Sequence, residues 1–205
     1  KPDAIIFAGD YIHAFDCDRS AEVDKLNRLF KQVGIKAEAG VYATRGDSEV
    51  DNWPLVFSGL PVTVFEQSAS VSNESFMLTG LSLADSVDLE FKPPETDQFH
   101  IILGHRPDFS LKSPDCDLMI AGHTHGGQVQ IPFFGPLFTF SQVPRSWAKG
   151  GEFPVNDSTL VISRGIGMER GFAPRIRFLC RPELVVINLE PADSHRELGK
   201  KGKSR

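Results

Sequence analysis

Cysteine is scarce, with Cys17, Cys116 and Cys180 the only three in 205 residues. They are odd in number, far apart and without CxxC spacing, which excludes a disulfide framework and a zinc knuckle. Inert thiols remain as the reading, in a compartment that is reducing or indifferent to redox. Long apolar runs are missing too, and no stretch approaches the ~18 residues that a bilayer-spanning helix needs. Basic charge is confined to the end of the chain. The formal charge is -5, and the last eleven residues, "HRELGKKGKSR", carry a net +4, so residues 1–194 carry -9. An acidic body lacks the surface that displaces counterions from nucleic acid, so nucleic-acid binding is not expected. The tail reads as a solvated, disordered terminus, with a weak contact to anionic lipid as the sharper alternative. Repeats and interdomain linkers are absent. The expectation is one domain over residues 1–194 and a basic tail over 195–205, with 40% hydrophobic residues filling a single core.

What is present is a series of short apolar runs, each ending at glycine. "AIIFAGD" reads as a buried strand with Gly9 and Asp10 at its C-terminal end. In "SAEVDKLNRLFKQVG", Val23, Leu26, Leu29, Phe30 and Val33 keep helical spacing, with Ser20 as N-cap and Gly34 as the stop. "AGVYATRGD" repeats the strand theme and ends at Gly46-Asp47, completing a βαβ unit. Period-two alternation in "LPVTVFEQSASVSNESFMLTGLSLAD" predicts antiparallel strands. "FHIILGHRPD" then ends at Gly104-His105, and "CDLMIAGHTHGGQ" at Gly122-His123-Thr124-His125. An irregular aromatic segment follows, and "STLVISRG", "RIRFLC" and "PELVVINLE" read as three closing strands.

Taken singly, Asp10, Asp47 and His105 are commonplace loop or structural residues. The pair His123/His125 is more pointed. In extended backbone, residues i and i+2 face the same way, so the two imidazoles would address one point. The glycines around them would leave room for a ligand.

The ordered set, GD at 9–10, GD at 46–47, GH at 104–105 and GHTH at 122–125, resembles the calcineurin-like metallophosphoesterase superfamily, whose blocks run DxH, GDxx, GNH[DE], GH and GHxH. "GHTHGGQ", "SRGIG" and "FLCRPEL" look like its bacterial membrane-associated branch, similar to phosphodiesterases and to one class of UDP-2,3-diacylglucosamine pyrophosphatase. The resemblance implies an α/β fold, a four-layer α/β/β/α sandwich with two mixed sheets face to face. It implies two divalent metal ions. Asp10 would bridge them, Asp47, His105 and His123 would be the remaining ligands of the second ion, and His125 would bind the first. The mixed nitrogen and oxygen donors suit Mn, Fe or Zn, with Mn favoured. On this reading one imidazole of the His-Thr-His turn serves each metal, and the glycines admit the phosphate.

The chain departs from the family pattern in two places. The resemblance implies a DxH block on a strand before Lys1, carried by another segment of the intact protein or by a separate chain. "GDSE" stands where the family has GNH[DE]: Asp47 adds a negative charge, and Ser48 occupies the position of a histidine that assists the leaving group, a task a hydroxyl cannot perform near neutral pH. The expected reaction is hydrolysis of a phosphodiester or pyrophosphate, in a phosphorylated small molecule or a lipid-linked substrate. Alternatives are a general or nucleotide phosphodiesterase and a catalytically impaired metal-binding scaffold; a metallo-β-lactamase-type site would want HxHxDH, and Gly126-Gly127 follow the pair instead. Arg164, ending a strand, is the leading phosphate-binding candidate among Arg145, Lys149, Arg164 and Arg170. Phe133, Phe134, Phe138, Phe140, Trp147 and Phe153 would either line an acyl or membrane-facing groove or pack on one another. The expected location is the cytoplasm or the periphery of a bacterial inner membrane.

Overall fold

The computed structural model describes residues 1–13, 18–171 and 173–190, so Cys17 and the expected tail lie outside the described residues. The βαβ unit is present as β1 (Ile5–Phe7), α1 (Arg19–Val33) and β2 (Val41–Thr44), with Ile5 paired in parallel to Val41. The cap of α1 is Asp18 rather than Ser20: its carboxylate accepts from Ser20 N at 2.9 Å and from Ala21 N at 3.4 Å. Gly34 ends the helix at φ 69°, a left-handed geometry that glycine adopts without strain. Asp18→Ala should therefore cost about 1 kcal/mol. Urea unfolding of the variant tests this, and an unchanged midpoint would show that the cap carries no stability.

β3 (Thr63–Phe65) lies parallel to β2, giving a three-stranded sheet in the order β1-β2-β3. Antiparallel pairing was expected for this region, and it holds only for β4 (Ala69–Ser72) and β5 (Met77–Gly80), which open a second sheet. Strand alternation looks the same in either orientation, so the pattern could not assign β3 to the other sheet. The second sheet adds β6 (His100–Leu103) and β7 (Leu118–Ala121), both parallel to β5, then β11 (Ser158–Ile162) parallel to β7, and β10 (Gly151–Val155) antiparallel at the edge. Between β7 and β10 lie a two-residue-per-strand hairpin, β8 (Gln130–Ile131) and β9 (Gly135–Pro136), and the short α3 (Arg145–Ala148).

Alternate side chains build the layers. Tyr42 and Phe65 of the first sheet meet Leu78, Ile101, Leu103, Leu118, Ile120 and Val161 of the second, so the two sheets pack face to face. The opposite face of the first sheet, through Phe7, Ala43 and Val64, holds Val23, Leu26 and Phe30 of α1 together with the 3₁₀ turn 53–57. On the far face of the second sheet, Ile102, Met119, Leu160 and Ile162 bury against Leu81 and Phe109. Phe109 belongs to a 3₁₀ turn (107–112) that packs beside α2 (Leu83–Val87). This is the four-layer α/β/β/α arrangement, with short helices in the outer layer of the second sheet.

The end of the described chain departs from expectation. "STLVISRG" contains β11, but "RIRFLC" contributes only an isolated bridge from Phe178 to Val129, and "PELVVINLE" is not a strand. Its apolar residues stay exposed, Leu184 and Val186 to 84% and 83%, so β-branched content there does not translate into a paired strand. Among the described residues, no helix is long and apolar enough to cross a membrane.

Candidate metal centre

Four strands deliver the motif residues to one end of the sandwich. β1 and β2 are neighbours in the first sheet, β6 and β7 in the second, and all four run into a glycine and then a ligand-type side chain. The parallel pairing puts each pair's C-terminal ends together, and the face-to-face packing brings the two pairs into one cluster. Gly9, at φ 87°, is required by this approach: a Cβ there would lie 2.6 Å from both Gly46 N and His105 Nδ1.

At the centre His105 Nε2 sits 3.0 Å from Asp47 Oδ1, 3.4 Å from Asp10 Oδ2 and 3.2 Å from His123 Nδ1. His123 Nδ1 is in turn 3.4 Å from Asp47 Oδ2. Asp10, His105 and His123 each offer a ligand atom within 4.8 Å of the others. His125 lies on the other side of Asp10, with Nε2 3.8 Å from Oδ2. The outward nitrogens of the two central rings are committed elsewhere: His105 Nδ1 donates to Ala8 O at 2.6 Å, and His123 Nε2 donates to Phe140 O at 2.6 Å. Backbone carbonyls thus take one N–H of each ring and turn Nε2 of His105 and Nδ1 of His123 inward.

Electrostatics agree with a site built for a cation. Burial works to raise Asp47, but the hydrogen bond and charge of His105, with His123 and Arg106 behind it, hold its carboxyl at about 2. Burial likewise opposes ionisation of Asp10, and His105 and Ser48 outweigh it, so its pKa is lowered. Burial should keep His105 neutral, yet Asp10 and Asp47 push it up to about 9. Its second proton is then the positive charge at the middle of the cluster, where a divalent ion would replace it. Burial followed by repulsion from His105 lowers His123, and burial takes His125 down to about 4 against the pull of Asp10. Both rings therefore present unprotonated nitrogen. Two carboxylates and three imidazoles fit a borderline transition metal better than Ca or Mg.

The histidine pair converges by a different route from the one expected. β7 ends at Ala121, and His123 and His125 have φ of 66° and 48° on either side of Thr124 at φ -71°, so the segment is a tight turn, not pleated backbone. Such angles are uncommon for non-glycine residues and cluster at functional sites. The glycines also serve another purpose. A Cβ on Gly126 would lie 2.7 Å from Arg164 Cγ, and one on Gly127 would lie 2.6 Å from Phe138 O. They admit close approach of the protein's own chain.

Ser48 and Arg164 are both engaged. Ser48 N and Oγ each donate to Asp10 Oδ1 at 3.0 Å, which leaves Oδ2 to face the imidazoles. Arg164 is paired with Glu183, while its stem covers Gly126. Arg145 donates to Pro136 O at 3.1 Å and lies over the Phe134 ring. His13, close after Asp10 in sequence, stands 3.6 Å from Glu169.

Three residues escaped the sequence reading. Glu49 accepts from Asp10 N, Tyr11 N and Gly46 N, tying the two Gly-Asp loops together. Arg106 reaches Asp47 at 3.6 Å and donates to Phe140 O at 2.7 Å, on the same carbonyl that holds His123. Arg177 donates to the carbonyls of Arg164 and His125 at 2.7 and 3.3 Å, bracing the turn from below. Glu49 and Arg106 are each within two residues of a motif aspartate or histidine; that adjacency was the available signal. Arg177 had none.

The profile of the calcineurin-like phosphoesterase family matches residues 1–127. The chain is 31% identical over 208 residues to the uncharacterized metallophosphoesterase YkuE of Bacillus subtilis, covering 93% of this chain and 68% of the relative. It is 30% identical over 201 residues to the phosphodiesterase YaeI of Escherichia coli, covering 92% and 71%. An uncharacterized metallophosphoesterase of Campylobacter jejuni, Cj0846, is 26% identical, over 93% of this chain and 51% of its own length. The chain belongs to the calcineurin-like phosphoesterase family and is a metal-dependent phosphoester hydrolase.

Proposed function

We propose that the protein hydrolyses a phosphodiester or pyrophosphate bond with two divalent ions, Mn favoured, held by Asp10, Asp47, His105, His123 and His125, and that its substrate is lipid-linked and met at a membrane surface. The observation that carries the reading is the convergence of Asp10, Asp47, His105 Nε2 and His123 Nδ1 while the rings' outer N–H groups are taken by Ala8 and Phe140 carbonyls. The second proton of His105 is the charge that holds these atoms together, and a divalent ion would take its place. Bound divalent ions supply Lewis acidity and a counter-charge for the phosphoryl oxygens.

The chain's own residues do the rest. The Ala8 and Phe140 carbonyls fix which nitrogen each ring offers. Ser48 holds one oxygen of Asp10 and leaves the other facing His105 and His125, where Asp10 would help hold the ions. Arg106 neutralises part of the Asp47 charge that would otherwise repel an anionic substrate. Ser48 is no proton donor for a leaving group, which favours substrates whose leaving group departs as a stabilised anion, pyrophosphates among them. A role for Arg164 in phosphate binding would require its release from Glu183. The lipid-linked assignment is supported by exposed Phe133 and Phe134 of the β8–β9 hairpin and by Phe140, whose ring centroid lies 6.5 Å from that of His123.

The test is elemental analysis of the Mn-loaded chain together with hydrolysis of bis(p-nitrophenyl) phosphate. Two ions per chain with Mn-stimulated turnover is the expected result. Two ions without turnover would favour the scaffold alternative, and one or none would overturn the dimetal assignment.

A further inference from the structure

We infer that the tip of the β8–β9 hairpin is a membrane anchor that inserts into the acyl region of an anionic phospholipid bilayer and seats the metal centre at its surface. This deepens the membrane contact proposed above and rests on it. Four apolar side chains stand at the tip, Ile131, Pro132, Phe133 and Phe134, and Leu137 follows at the base of the hairpin, all five exposed. Phe133 is exposed to 111%, with nothing of the protein against its ring, and its backbone is held at φ 66°. A bulky residue in that region is strained, and here the strain projects a phenyl group into solvent. A water-soluble surface gains nothing from such an arrangement, whereas an acyl interior accepts it.

Charge favours a bilayer over a protein partner. The chain has 27 acidic residues, yet the 34 residues from Leu118 to Gly151 contain none. At the neck of the hairpin stands exposed Arg145, its guanidinium 4.6 Å over the Phe134 ring and donating to Pro136 O. Exposed Lys149 sits beside β8, its carbonyl accepting from Gln130. An apolar tip above a cationic collar matches acyl chains beneath anionic phosphates. The hairpin has only two paired residues per strand, which suits insertion of a few side chains better than the broad contact of a stable protein interface.

Position supplies the functional link. From Phe133 the chain returns in seven residues to Phe140, whose carbonyl holds His123. Seven residues span at most roughly 24 Å. Insertion of the tip therefore keeps the metal centre within reach of a headgroup.

The experiment is co-sedimentation of the full chain with vesicles of three parts phosphatidylethanolamine to one part phosphatidylglycerol, in 0.1 M and 0.5 M NaCl. The expected result is binding that persists at high salt, falls about tenfold in Phe133→Ser, and falls further in the double variant with Phe134→Ser, with Mn-dependent hydrolysis of bis(p-nitrophenyl) phosphate unchanged. Phe133→Trp should show a blue-shifted emission when vesicles are added. Vesicle binding unaffected by these serine substitutions, or binding lost at 0.5 M NaCl in the unmodified chain, would overturn the inference while leaving membrane contact standing. No binding by the unmodified chain would overturn both. A dimer that Phe133→Ser converts to monomer would identify the tip as a protein interface and overturn it as well.

Discussion

His123→Ala should lower kcat/KM for Mn-dependent hydrolysis of bis(p-nitrophenyl) phosphate by about three orders of magnitude, or ~4 kcal/mol of transition-state stabilisation. The size of the effect follows from where the ring sits. Its Nδ1 is one of the acceptors around the cluster centre, 3.2 Å from His105 Nε2 and 3.4 Å from Asp47 Oδ2, and alanine offers nothing in its place. The fold should survive. Phe140 O, the carbonyl that His123 Nε2 uses, keeps Arg106 as a donor at 2.7 Å, so no buried acceptor is orphaned. The check is therefore a pair of measurements, turnover with metal stoichiometry and the urea midpoint. Turnover within tenfold of the parent chain at an unchanged midpoint would remove His123 from the centre. A collapsed midpoint would instead assign the histidine a structural role.

The parts of this site that can be read in the sequence are those whose geometry is local. A short apolar run followed by glycine and a ligand-type residue specifies a strand and what stands at its end. Asp10, Asp47, His105 and His123 share that form and all arrive at the same edge. The order of the blocks then implied the family, and the profile match agrees with it. What could not be read depends on the third dimension. Alternation in Thr63–Phe65 states that the strand has two faces, but not which sheet it joins or in which direction. Gly126 and Gly127 announce close approach, yet whether the visitor is a phosphate or the chain itself depends on Arg164, Cys180 and Phe138, distant in sequence. The His-Thr-His turn was expected to converge through extended backbone; it converges through positive φ at both histidines, for which spacing carries no signature. Arg164, attractive as a free cation at a strand end, finds Glu183 nineteen residues on.

Glu49 is the clearest case of a residue hidden in plain view, and its removal should be the most damaging change outside the ligand set. It is 7% exposed, and its carboxylate closes a cage of donors. One oxygen accepts from Asp10 N at 2.8 Å and Gly46 N at 2.7 Å, and the other accepts from Tyr11 N at 2.6 Å and shares the Ser48 hydroxyl, 3.1 Å away, with Asp10. Every one of these groups lies on a Gly-Asp loop, so a single side chain fixes the separation of Asp10 from Asp47. Burial and then the charge of Asp10 raise its pKa, a cost that these hydrogen bonds offset. Glu49→Ala would leave at least three backbone donors without a partner, each worth roughly 1–3 kcal/mol when buried. Relaxation and entering water reduce the sum, and a net loss of about 4 kcal/mol is expected. Glu49→Gln keeps the volume but sets an amide N–H₂ against one of the two donor pairs, and should cost about half as much. Both variants should bind Mn 10–100-fold more weakly where they remain folded, because the ligand loops lose their spacing. Urea unfolding and Mn titration of the two variants decide it. Normal Mn affinity in folded Glu49→Gln would reduce Glu49 to an ordinary buried carboxylate, and a stability loss below about 1 kcal/mol in Glu49→Ala would show that water replaces it without difficulty.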